Sequence, residues 1–185
     1  EIYLKTVLNC TTNTANDHFR LEDVTSLIKT VEVEIGGQKI DKHYAEWMNI
    51  YDDLFETNDK LIDVLHKPTD AATSNVYVPL RFWFNRNPGL ALPLIALQYH
   101  EVKINMTLET AANVITKATA DDVLTASLSA DLLVNYLYLD TDERRRFAQV
   151  SHEYLIEQVQ HTGPESEANI DMTFNHPVKA LFWTG

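Results

Sequence analysis

The sequence predicts an all-β sandwich, and three observations predict it. Apolar residues recur at every second position in several separate stretches, the period of a strand with one face in a core. Turn-forming clusters punctuate those stretches, among them Gly36-Gly37, Asn85 to Gly89, His161 to Pro164 and Asn175-His176-Pro177. Helical spacing is confined to one or two short segments, a balance that sandwich architectures produce.

Taken in chain order, Val31, Val33 and Ile35 face one way, and Gly36-Gly37 then supplies the positive φ values of a two-residue hairpin turn before a short return. Residues 43–54 place Tyr44, Trp47, Met48 and Tyr51 at i, i+3, i+4 and i+7, which predicts a helix. From Val76, the residues Val76, Val78, Leu80, Phe82 and Phe84 alternate with Tyr77, Pro79, Arg81, Trp83 and Asn85, predicting one strand throughout. Pro79 removes a ladder donor and so belongs at an edge or a non-bonded position. Asn85-Arg86-Asn87-Pro88-Gly89 predicts a turn, with Gly89 free to take a positive φ.

The apolar run from Gly89 to Leu97 has nine residues, whereas a membrane-spanning helix needs roughly 20. Pro88 and Pro93 would also break such a helix. The run therefore reads as a connection covered by another layer. Val102, Ile104, Met106 and Leu108 then alternate with polar residues, as in a half-buried antiparallel strand.

Residues 110–129 are small and polar and predict a long surface loop. Leu132 to Leu139 is apolar on nearly both faces and predicts a central strand. Asp140 and Glu143 stand at capping-box spacing and open a helical turn or two through Gln149. Residues 152–160 fit a helix or a strand equally by periodicity. Ile170 to Phe174 and Val178 to Trp183 predict two more strands.

Composition narrows the function classes. The chain has 185 residues, enough for one domain or somewhat more, and a formal net charge of −12. Such a deficit of Lys and Arg argues against a nucleic-acid groove. Cys10 is the only cysteine, so neither an internal disulfide nor a cysteine-based zinc site can form. The opening EIYLKTVLNC has no secretory pattern and no initiator Met, and the expectation is that the chain is a piece of something longer. The sequons at Asn9 and Asn105 read as coincidental.

No chemistry-bearing motif survives scrutiny. His152-Glu153 and His100-Glu101 begin a zinc-protease pattern, but Ile156 and Ile104 occupy the places of the second histidine. No two histidines stand two apart, as a cupin-like metal site requires. Gly-x-Ser-x-Gly and phosphate-cradling glycine loops are missing from the sequence. Asp52-Asp53 and Asp121-Asp122 read as solvated loop charges with nothing apolar beside them to raise a pKa. Arg144-Arg145-Arg146 reads as a solvated helix face, or else as an interface whose guanidinium forks hold a neighbour's carboxylates. Trp47, Phe82, Phe84, Tyr136 and Tyr138 read as core. The expectation is no catalytic residue, no metal and no cofactor.

Four segments carry a resemblance: residues 31–44 (VEVEIGGQKIDKHY), 77–104 (YVPLRFWFNRNPGLALPLIALQYHEVKI), 136–163 (YLYLDTDERRRFAQVSHEYLIEQVQHTG) and 174–183 (FNHPVKALFW). In content and order they resemble the major capsid protein of the nucleocytoplasmic large DNA viruses. The resemblance implies a tandem double jelly roll, two antiparallel sandwiches joined by a short helical linker. It implies a first jelly roll over 1–140 lacking its earliest strands, a linker over 141–152, and the start of a second over 153–185. Residues 153–160 would then be the first strand of the second sandwich.

The implied role is structural and not enzymatic. Three copies form a homotrimer with a pseudo-hexameric outline, and such capsomers tile an icosahedral shell. Minor capsid proteins and an internal membrane are the implied neighbours, with no direct contact to nucleic acid. The location implied is the outer shell of the virion, assembled in host cytoplasm. The rival reading is a carbohydrate- or ligand-binding β-sandwich module.

Overall fold

The computed structural model describes residues 1–11, 20–21, 25–56, 73–116 and 125–184. Antiparallel sheets dominate it, in agreement with the all-β expectation. Strand β1 (Ile2–Thr11) lies between β5 (Thr73–Pro79) and β8 (Thr125–Val134). Strand β3 (Ile28–Ile35) lies between β4 (Gln38–Tyr44) and β6 (Val102–Leu108). Two short strands, β2 (Arg20–Leu21) and β7 (Ile115–Thr116), pair separately. The helices are α1 (Ala45–Phe55), α2 (Trp83–Arg86), α3 (Ala111–Val114) and α4 (Thr141–Gln149).

Both three-stranded sheets feed one core. Ile2, Leu4, Val76 and Val78 enter it from the first sheet, and Ile28, Val31 and Val33 from the second. Met48 of α1 and the Leu80–Phe84 stretch fill the space among them. Burying apolar surface at roughly 25 cal/mol per Å² is the main force holding such layers together.

The β3–β4 hairpin forms as expected, with Gly36 at φ 59° and Gly37 at φ 83°. A Cβ on Gly36 would lie 2.6 Å from His100 Nδ1, while one on Gly37 would meet nothing within 4 Å. Gly37→Ala should therefore cost about 1–2 kcal/mol from its left-handed backbone alone. Gly36→Ala should cost more, because His100 must also move, and paired thermal melts give the difference. The return strand is longer than expected and takes in His43 and Tyr44, so α1 starts at Ala45.

A bulge interrupts the hairpin. Val33 pairs with Asp41 and Glu34 with Lys39, leaving Ile40 without a partner. A bulge inverts which residues face inward beyond it. Asp41 and His43 are consequently buried, and Ile40 is only half-buried.

Several sequence expectations need correction. The strand predicted through Asn85 ends at Pro79, the last residue of an edge strand. Asn85 Nδ2 donates to the carbonyl of Leu80 at 3.0 Å and closes the turn of α2. Trp83 is buried along with Phe82 and Phe84, as a helical turn allows and a strand would not. Gly89 does not use a positive φ; Asn87 Oδ1 accepts from its N–H at 2.8 Å and caps a short turn over Pro88–Leu90. The apolar connection is only partly covered: Leu92 packs on the core, whereas Leu94 is exposed.

The predicted 110–129 loop contains α3, β7 and the first half of β8. Residues 117–124, including Asp121-Asp122, lie outside the described residues. Of the central strand predicted over 132–139, only residues 132–134 are strand, the end of β8 at the edge of its sheet, and 135–139 are not. Its last pair is Ile2↔Val134, and Asn135 N–H donates to the Glu1 carbonyl at 2.9 Å. The segments predicted as strands over 153–160, 170–174 and 178–183 carry no ladder, since no neighbouring strand pairs with them among the described residues. Helix α4 matches its expectation, with Asp140 Oδ1 accepting from Glu143 N–H at 2.8 Å.

Candidate assembly surface

β8 and the chain beyond it carry exposed apolar side chains that no other described residue covers. Leu4↔Leu132 and Ile2↔Val134 are direct cross-strand partners and share a face, yet Ile2 and Leu4 are buried while Leu132 and Val134 are exposed. Leu133, on the opposite face, is exposed as well. The belt continues through Tyr136, Leu137 (59% exposed) and Tyr138 (93% exposed). Tyr136 and Tyr138 are therefore not core residues, contrary to the sequence expectation. Scattered surface aliphatics need no explanation, but a contiguous run of this kind marks a contact surface. Further along, Ile170, Met172 and Trp183 add exposed apolar area.

The chain after α4 is fastened to the sheets by side chains. Asp41 Oδ1 accepts from the N–H groups of Lys42 and Val159, each at 2.9 Å. Gln158 Nε2 donates to the carbonyl of Ile40, the bulged residue. The Tyr44 and His161 rings lie 4.7 Å apart, and Phe182 sits edge-on to Trp47 at 5.2 Å. Behind Asp41, His43 Nε2 lies 2.9 Å from Asp41 Oδ2, though out of line for a hydrogen bond. The His43 ring is fully buried and stacked on Phe82 at 4.4 Å.

Glu157 joins two other parts of the chain by pairing with Arg86 of α2 and with Lys179. The Lys179 ammonium bonded to it holds its carboxyl below the ordinary 4.5, against the opposing effect of partial burial. A lowered folded-state pKa gives stabilisation that is complete above the unfolded value and is lost as pH falls through the folded one. Glu157 is partly exposed, so its contribution is at most about 1 kcal/mol. Proteolysis of residues 150–184 should accelerate as pH drops below 4.5, and Glu157→Gln should flatten that dependence.

A second polar cluster lies under α1. Arg81 Nε donates to Asp52 Oδ1 at 2.8 Å and Nη1 to Glu56 Oε1 at 2.7 Å. Its guanidinium also sits over the Tyr51 ring at 5.3 Å. Asp52 is thus a buried helix residue and not the solvated loop charge expected from sequence, because helical spacing turns it under the helix while Asp53 faces out.

The remaining residues singled out in the sequence stay apart from one another. His100 lies at the hairpin tip, and His152 contacts the carbonyl of Phe147 at 2.8 Å. Arg144, Arg145 and Arg146 are exposed on α4, where Arg145 approaches Asp142 at 3.7 Å. Among the described residues no group of three or more His, Cys, Asp or Glu is placed to hold a metal ion. Among them, too, no helix is long and apolar enough to cross a membrane. Asp41, His43 and Glu157 were not predicted as functional, and only the alternation of Asp41 and His43 in the return strand hints at them.

Comparison with known proteins bears on this surface. Residues 1–140 match the family described as major capsid protein N-terminus, and residues 143–185 match large eukaryotic DNA virus major capsid protein. The chain is 54% identical over 171 residues to the major capsid protein of Pyramimonas orientalis virus, covering 85% of this chain and 42% of that protein. It is 46% identical over 173 residues to the major capsid protein of Paramecium bursaria Chlorella virus 1, covering 85% and 40%. A solved structure, the quasi-atomic model of the PBCV-1 virus capsid, superposes with a TM-score of 0.61 at 42% identity, over 85% of this chain and 39% of that one. The chain spans about two fifths of the length of these two relatives.

Proposed function

The chain belongs to the major capsid protein family of large eukaryotic DNA viruses, and from that premise we propose that it is a structural component of a virion shell. In this reading it associates with copies of itself as a homotrimer, and the resulting pseudo-hexameric capsomers tile an icosahedral capsid. Minor capsid proteins and an internal membrane are its neighbours, and nucleic acid is not contacted directly. Its role is mechanical and not enzymatic.

The observation that carries this reading is the apolar belt from Leu132 to Tyr138, exposed in the single chain. Obligate subunit interfaces bury apolar area of this kind. The division into a first jelly roll (1–140), a helical linker (141–152) and the start of a second jelly roll (153–185) belongs to the same proposal. It is supported by the capped helix α4, which follows the belt and precedes a segment that, among the described residues, has no strand pairing with the first unit.

Light scattering on the full chain tests the proposal. A trimer mass at micromolar concentration is expected, and Leu137→Asp should shift it toward monomer by placing a charge in an apolar contact. A stable monomer for the unaltered chain overturns the proposal and favours a ligand-binding sandwich.

A further inference from the structure

We propose that Asp41 is the anchor of an internal clasp, a buried carboxylate that holds residues 157–161 on the first unit where strand pairing would otherwise do so. β4 is an edge strand, and an edge offers a row of backbone groups to any extended segment alongside it. Residues 157–161 contact β4 through Asp41, Ile40 and Tyr44, yet they form no ladder with it. Asp41, Ile40, Tyr44 and Arg86 hold four of the five positions of that segment instead, through Val159, Gln158, His161 and Glu157 respectively.

The bulge explains why. With Ile40 unpaired, the regular spacing of edge groups is broken, the Ile40 carbonyl is offered to Gln158, and Asp41 is turned inward. The four contacts are unequal. The Asp41 side chain is almost wholly buried, so its bond to the Val159 N–H is charge-assisted and shielded from water. The Arg86–Glu157 pair is partly solvated and weakens with salt. The clasp therefore rests on Asp41, and its loss frees the segment to leave β4.

The inference rests on the two-unit reading of the chain, but amide exchange in solution reports the clasp whether or not the chain assembles. In the full chain, Asp41→Ala should raise exchange at Val159–His161 by about tenfold or more, the equivalent of one lost charge-assisted bond. Amides of β1 and β3 should keep their protection. Asp41→Asn retains an oxygen acceptor and should raise exchange less, and Glu157→Gln should raise it least. Unchanged exchange at Val159–His161 in both Asp41 variants overturns the proposal. Loss of β3 protection in both variants also overturns it, since Asp41 would then be a core residue and not an anchor.

Discussion

Phe82→Ala should remove about 3–5 kcal/mol of folding stability, the range for truncating a fully buried aromatic. Phe82 is the hub of the aromatic core, with His43 stacked 4.4 Å away on one side and Phe84 5.5 Å away on the other. It also lies where the first sheet hands over to α2, so the void would open between β4 and the Leu80–Phe84 stretch instead of at a margin that could collapse. The midpoint of a denaturant titration, with its slope unchanged, measures the loss. Tyr136→Ala is the control, expected to change stability by under about 0.5 kcal/mol in the unassembled chain. The sequence assigns both aromatics to the core; only Phe82 belongs there.

Arg81→Met should cost about as much, roughly 3–5 kcal/mol, although it removes little apolar packing. The guanidinium serves two carboxylates, Asp52 and Glu56, and Asp52 is only 3% exposed. Without it two negative charges remain one helical turn apart under α1 with their shared cation gone. Arg81→Lys should recover only part of the stability, because one ammonium cannot reproduce a planar fork aimed at two acceptors. Thermal melts of the two variants provide the comparison, with the larger loss expected for Met.

The elements legible in the sequence are those whose cause is local. Gly36-Gly37 dictates a hairpin because few residues other than glycine accept both φ values, and Asp140 begins α4 because its carboxylate reaches the Glu143 amide. Alternation over Val102–Leu108 gives a true strand because β3 lies beside it. The same alternation over Ile170–Phe174 gives none, since a strand exists only with a neighbour, and a neighbour is not a property of the segment itself. Thr125 to Ser129 reads as loop by composition, yet β1 pairs with it and makes it strand. The candidate surface was less legible. Asp41 and His43 are inside because a bulge at Ile40 reverses the facing of β4, and nothing in the residue types announces a one-residue insertion. The run at 132–139 is legible as apolar, but its exposure is not, because only 132–134 belong to β8, which among the described residues pairs on one side, and the rest lie beyond the strand.

If copies associate as proposed, that strand edge also sets how they approach each other. A chain of net charge −12 repels its own kind across roughly a Debye length, about 8 Å at physiological ionic strength. The attraction of uncovered Leu and Tyr side chains acts only at touching distance. Encounter is thus slowed by a long-range force that dissolved ions weaken, while the strength of the union, once made, is almost indifferent to them. On that proposal, added salt should speed the joining of copies far more than it tightens them, so the ionic medium would act as a timer on their assembly.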